Sequence, residues 1–243
     1  MKNIWTILQR EFASYFASPI AYVFMIVFLL GTGIHFAYIG DVFTIDRTEM
    51  RLFFETLPMT FLVLVPALTM RLWSEERKLG TFEVLMTLPM TPLQITLGKF
   101  TAAWGILGIT LLFTLPIPIV LSTLGPLDWG PIAGGYLGSF LLGGAYLSIG
   151  AFASSISRDQ IIAFILTALM LSFFVVIGQN DVLALVGDWS HNLVTLCTNV
   201  GFLPHFDSIA RGVIDSRDIL YFLSITGFFL ALNRFTIESH RYA

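Results

Sequence analysis

Cysteine is almost missing from this chain: Cys197 stands alone. That rules out a disulfide within the chain and any cysteine-built metal cage, and makes a buried small apolar residue its ordinary role. Charge is scarce too, at 12% Asp, Glu, Lys and Arg against 56% hydrophobic residues, with a mean hydropathy of +0.82. So apolar a composition excludes a soluble globular domain. The formal charge of -3 and the lack of a basic tract interleaved with aromatics argue against a nucleic-acid partner. No phosphate-binding loop of the form Gly-x-x-x-x-Gly-Lys-Ser/Thr occurs; Gly98-Lys99 is followed by Phe100 and lacks the upstream glycine. Nucleophile-elbow and zinc-protease helix motifs are missing as well, so an intramembrane hydrolase has no positive support.

What is present is a series of long charge-free runs. A membrane helix needs about 20 apolar residues, because every backbone polar group must be satisfied inside the segment. The runs predict an all-α membrane protein with six transmembrane helices at 19–40, 52–73, 92–124, 131–157, 160–179 and 218–236. Residues 1–17 precede them as an amphipathic helix, with Ile4, Trp5, Leu8, Phe12 and Phe16 on one face and Asn3, Thr6, Gln9, Arg10 and Ser14 on the other. A secretory signal is the competing reading of this start, but the apolar stretch after Glu11 is too long for a signal core and shows no small-residue cleavage site. Ser18 and Pro19 suit the cap and first residue of the first span. Pro116 and Pro118 are expected to kink the third, and Gly134, Gly138, Gly144 and Ser148 have the four-residue spacing that lets helices approach closely. Glu55 is expected to be an interfacial anchor at one end of the second span.

Lys and Arg decide the orientation. Six spans put both termini on one side, together with 71–99 and the turn at Arg158. That side holds Lys2, Arg10, Arg71, Arg77, Lys78, Lys99, Arg158, Arg234 and Arg241, against Arg47, Arg51, Arg211 and Arg217 on the other. Positive residues near spans are retained in the cytoplasm, so the richer side is cytoplasmic.

The one substantial charged island runs from Arg71 to Lys99, with 74–91 as the segment between the second and third spans. Gly80 suits the left-handed end of a preceding helix, with Arg77 and Lys78 in that helix's last turn. Thr81 is expected to cap a second short helix with Glu83 in its first turn, and Pro89 to end it. Leu79, Phe82, Leu85 and Met86 form its predicted apolar face. Such a helix suits either a membrane interface or a groove on a soluble partner. Residues 180–217 are moderately apolar but broken by Gly187, Gly201 and Pro204, which predicts short re-entrant helices rather than a seventh span. In that loop His191, His205 and Asp207 match no specific metal or catalytic spacing, and structural or gate-lining roles are favoured. Gly212 is expected to serve the turn after a helix near Ile209, and Asp215 to cap the last span.

The run Ser-Glu-Glu-Arg-Lys-Leu-Gly-Thr-Phe-Glu-Val-Leu-Met-Thr-Leu-Pro-Met-Thr-Pro-Leu-Gln-Ile-Thr-Leu-Gly-Lys-Phe, starting at Ser74, resembles the cytoplasmic signature of ABC-2 type transporter permeases. The opening Glu-Phe-Ala-Ser-Tyr-Phe-Ala-Ser-Pro-Ile-Ala-Tyr and the late His-Phe-Asp-Ser-Ile-Ala-Arg-Gly-Val-Ile-Asp resemble the gliding-motility-associated subgroup. The resemblance implies the ABC-2 (type V exporter) permease fold, with a coupling helix between spans 2 and 3 and re-entrant outer helices between spans 5 and 6. It also implies a permease subunit in a bacterial cytoplasmic (inner) membrane, with both termini in the cytoplasm. Expected partners are two copies of an ABC ATPase subunit, a second permease copy or a related permease, the lipid bilayer and an auxiliary extracytoplasmic protein. This chain would carry no cofactor, since ATP and Mg would be bound by the ATPase. Glu75, Glu76, Arg77, Gly80, Thr81, Phe82, Glu83, Leu85 and Pro89, with Lys99, are the coupling residues implied. His205, Phe206, Asp207, Arg211, Gly212 and Asp215 are those of the outer loop. Two other functions compete: a scaffold of a surface machine that transports nothing, and an intramembrane enzyme acting on lipid-linked substrates.

Overall fold

The computed structural model describes residues 2–39, 50–87, 90–187, 191–213 and 215–241. Among them every regular element is a helix: α1 (Lys2–Ala17), α2 (Pro19–Ile39), α3 (Arg51–Thr69), α4 (Arg71–Lys78), α5 (Thr81–Thr87), α6 (Pro92–Leu112), α7 (Pro116–Leu124), α8 (Trp129–Ile156), α9 (Gln160–Ile177), α10 (Asn180–Gly187), α11 (His191–Val200), α12 (Phe202–Ala210) and α13 (Ser216–Arg241). Six stretches are long and apolar enough to cross a membrane: Pro19–Phe36, Arg51–Lys78, Pro92–Leu124, Trp129–Ile156, Gln160–Ile177 and Ser216–Ser239. The sixth helix continues beyond the expected 236 to Arg241, its last turns carrying an Arg234–Glu238 pair at 3.1 Å.

The bundle is built around α8, which packs against α3, α4, α6, α9, α12 and α13 and is buried over most of its length. Its small residues allow that. A Cβ on Gly143 would stand 2.7 Å from Leu107 of α6, and one on Gly134 would stand 2.5 Å from the Ile209 carbonyl of α12. Gly135 and Gly150 admit Phe54 and Thr69 of α3 in the same way, and Gly144 meets the Trp104 indole. Close approach is thus spread along the whole of α8, and dispersion contacts rather than charge hold the core.

Local chemistry sets the helix ends. Ser18 Oγ accepts the Ile20 N–H at 3.4 Å and starts α2 at Pro19. Thr91 and Gln94 exchange side-chain and backbone hydrogen bonds in a capping box, with Pro92 as the first residue of α6. The third span breaks at residues 113–115, just before Pro116, which lacks the N–H needed to continue the ladder. Glu55 pairs with Arg51 at 2.7 Å at the exposed start of α3.

Most of the predicted face of the amphipathic helix is covered, with Ile4, Leu8, Phe12 and Phe16 half-buried. Ile7 is buried, whereas Trp5 is 60% exposed. Against α6 lie Ile7, beside Gly98, where a Cβ would stand 2.6 Å from its Cγ2, Glu11, paired with Lys99, and Phe12, whose ring lies beside Gly105. Contact with a glycine adds Ile7 to the inward side of α1.

Candidate functional site at the charged end of the bundle

Two short helices, α4 and α5, stand at the end of the bundle where α1 and the start of α6 also meet. Between α3 and α4 the ladder is interrupted at Met70, and a side chain of α8 repairs it. Ser154 Oγ accepts the N–H groups of Trp73 (3.0 Å) and Ser74 (3.2 Å) and donates to the Met70 carbonyl (3.1 Å). One hydroxyl therefore satisfies three backbone groups and fixes α4 to the central helix. Glu75 is clamped by the Arg71 guanidinium through two bonds, at 2.6 and 2.7 Å, and Arg71 also donates to Ser18 Oγ at 3.1 Å.

Glu76 faces the opposite way, into a buried cluster. Lys99, only 4% exposed, places its Nζ 2.8 Å from Glu76 Oε1 and 3.1 Å from Glu11 Oε1, and 5.3 Å from the centre of the Trp73 ring. A buried ammonium needs such company, since its desolvation is offset only by close opposite charge. Nearby, burial pushes the Tyr15 phenol well above its ordinary range, and that hydroxyl donates to the Leu68 carbonyl at 3.4 Å.

Gly80 closes α4 at φ +70, a left-handed turn free of strain only for glycine, and swings the chain into α5. Thr81 is not the N-cap of α5. It is the first helical residue, and its hydroxyl reaches back 3.3 Å to the Glu76 carbonyl, where the end of α4 has unpaired acceptors. The predicted apolar face is also corrected. Phe82 and Leu85 pack against the cluster of Leu72, Trp73 and Ile95, with Phe82 edge-on to Trp73 at 6.2 Å. Leu79 turns outward at 68% exposure, beside Val84 at 65%, because the Gly80 turn falls between Leu79 and the rest of that face. Thr81, Glu83 and Thr87 are exposed with them. Arg77 stacks over Phe82 at 5.0 Å, and its Nε and Nη2, shielded from solvent, donate to nothing among the described residues. Pro89 and the Met86 side chain lie outside the described residues.

At the far end, α12 packs on α8 and α3 through buried Phe206 and Ile209. The structure separates the two ionisable residues of that helix. His205 turns to α13, its Nδ1 2.7 Å from Asp218 Oδ1 and its ring stacked 4.0 Å from Tyr221, while Nε2 donates to the Asn199 carbonyl at 3.3 Å. Asp207 is half-buried, and burial raises its carboxyl above the usual range against the opposing pull of Arg211. Arg211 ends α12, Gly212 makes the turn at φ +86, and Asp215 Oδ1 accepts the Arg217 N–H at 2.9 Å at the start of α13. The His191 side chain lies outside the described residues.

Sequence reasoning passed over Glu11, Trp73, Ser154, Asp218 and Tyr221. For Glu11 a signal existed: Ile4, Ile7, Glu11 and Tyr15 are spaced three, four and four apart, one helical stripe with a single carboxylate on it. Nothing local marks Ser154, whose partners lie about 80 residues away.

A helical bundle with six membrane-crossing stretches and short helices at both ends is the architecture of a multi-pass membrane protein. Residues 42–187, more than half of the chain, match the family described as ABC-2 family transporter protein, and the chain belongs to that family. The matched stretch runs from just before α3 through α10 and includes α4 and α5. Members are membrane subunits of ABC transporters, and the family in general implies an ABC ATPase partner. No curated protein matches the chain.

Proposed function

We propose that this chain is the permease subunit of an ABC-2 transporter that uses α5 as its coupling helix, converting the closure of a separate pair of ATPase subunits into movement of the membrane helices. The observation that carries the reading is the two-sided character of α5. Phe82 and Leu85 anchor it to the Trp73 cluster, while Leu79, Thr81, Glu83, Val84 and Thr87 present an exposed, mixed apolar and polar edge past the end of the bundle. A push on that edge reaches α4 through Phe82 and Trp73, and α8 through Ser154. This is conformational coupling, with ATP and Mg held by the partner and no catalysis in this chain.

The same reading puts the charged end in the cytoplasm with both termini, and the chain in a bacterial inner membrane. Residues 180–217 then lie outside, with α10, α11 and α12 as re-entrant helices and Phe206, Asp207, Arg211, Gly212 and Asp215 bordering the exit. Two copies, or one with a related permease, would enclose the path. An auxiliary protein on the outer side and membership of the gliding-motility-associated subgroup belong to this proposal on the motif resemblance alone. Co-expression with a cognate ATPase tests it. Phe82→Ala and Glu83→Lys are expected to reduce permease-stimulated ATP turnover at least tenfold, whereas His205→Ala leaves it within twofold; the reverse pattern would overturn the reading.

A further inference from the structure

The Lys99 cluster joins three elements. Its cation comes from α6, one carboxylate from α4 (Glu76, 2.8 Å) and the other from α1 (Glu11, 3.1 Å). Both carboxylates are only 20% exposed, so the pairing is sheltered from the water and salt that weaken surface ion pairs. Trp73 closes the cluster from below and touches Phe82 of α5. One turn away Ile7 of α1 fits against Gly98, where a side chain would clash. A continuous series of contacts therefore leads from α5 through Phe82, Trp73 and Lys99 to Glu11.

We propose that Lys99 is a positioning residue that ties α1 to α4, so that α1 is moved together with the coupling segment and acts as a second lever beside the spans. The proposal rests on the function assigned to α5 for the source of the movement, but the tie itself exists without any partner. Two geometric facts favour a tie over simple charge neutralisation. A single carboxylate would neutralise Lys99, yet two are supplied from separate helices. And α1 needs no ion pair to dock, since Ile7 and Phe12 already pack against Gly98 and Gly105 of α6 and Tyr15 against the core. The ionic contact adds direction: an ammonium between two carboxylates fixes their separation, whereas apolar side chains permit sliding.

Spin labels test this in the membrane-reconstituted chain carrying Cys197→Ser. Labels at Gln9→Cys on α1 and Thr87→Cys on α5 report the tie; labels at Leu169→Cys on α9 and Phe228→Cys on α13, all exposed positions, report the bundle. The Gln9–Thr87 distance is expected to be narrow in the parent, at least twofold broader with Lys99→Met or the milder Glu11→Gln, and narrow again with Lys99→Arg. The Leu169–Phe228 distance stays unchanged throughout. An unbroadened Gln9–Thr87 distance, or equal broadening of both pairs, overturns the proposal. With the ATPase bound and trapped by ATP and vanadate, Gln9 and Thr87 are both expected to shift relative to Leu169 in the parent, and Thr87 alone in Glu11→Gln. A fixed Gln9 in the parent overturns the lever. The label widths need no ATPase, so a failure of α5 to stimulate ATP turnover and a failure of the tie are read in separate experiments.

Discussion

At the scale of single residues, the charged end depends on groups that serve several partners at once. Ser154 accepts two N–H groups and donates its only proton, which uses all its hydrogen-bonding capacity. Ser154→Ala strands two buried donors at the start of α4 and is expected to cost about 1–3 kcal/mol, measured as a loss of thermal stability in detergent. Cys at this site, close in volume but a weak acceptor, should recover little of the loss. The cost falls on α4 because its first N–H groups lack the ladder acceptors that an uninterrupted α3 would supply. Such a residue is invisible in sequence: an ordinary serine in a run of small residues, with its role set by a helix far away in the chain. Gly80 and Gly212 were legible because a positive φ is a local demand that few residues besides glycine meet.

At the scale of elements, the turn at Gly80 separates two jobs. The α4 helix is bound to α8 and α6, and α5 turns its free edge outward, with Leu79 leaving the face that Phe82 and Leu85 keep. Apart from its chain neighbours, no heavy atom of the described residues lies within 4 Å of the position a Cβ would take on Gly80, so the cost of replacement is that of the backbone. Gly80→Ala is therefore expected to cost about 1–2 kcal/mol, and to act on the angle between α4 and α5 more than on the bundle. Amide exchange should rise in α5 while α8 keeps its protection; equal loosening of both would refute the separation. Helix existence was readable here, and so was most of each inward face, with Leu8, Phe12 and Phe16 covered on α1 and Phe82 and Leu85 on α5, but the edges of those faces were not. Hydrophobicity placed Trp5 and Leu79 inside, but both are exposed, Leu79 because the turn at Gly80 parts it from the rest of its face. Periodicity reports that a helix has two sides; its neighbours decide which side they take.

At the scale of the whole molecule, the six apolar runs and the distribution of Lys and Arg could be read directly, because a bilayer imposes length and charge rules on each segment by itself. The order of packing could not, since it arises from pairings such as Gly134 with Ile209 and Gly143 with Leu107 that are 75 and 36 residues apart. The family match covers the part of the chain containing α4 and α5, the same part that carries the charged motif starting at Ser74. Orientation is open to direct measurement. With Thr81→Cys in a Cys197→Ser background, a membrane-impermeant maleimide is expected to label only after cells are opened. Ready labelling of intact cells would turn the molecule over and remove the argument for an ATPase at α5.

The saturation of α8 has a consequence for assembly. Beyond its first turns, where Trp129, Ala133 and Leu137 are exposed, this helix is enclosed by α3, α4, α6, α9, α12 and α13, so the broad surface open to a second chain belongs to the peripheral helices. Those helices keep rows of uncovered apolar side chains: Val23, Ile26, Val27 and Leu30 on α2, and Ile162, Ile165, Leu169 and Phe173 on α9. Were a second chain to dock on those rows, the contacts of α8 would stay within this one, a private axle about which the two could rock without unpicking it.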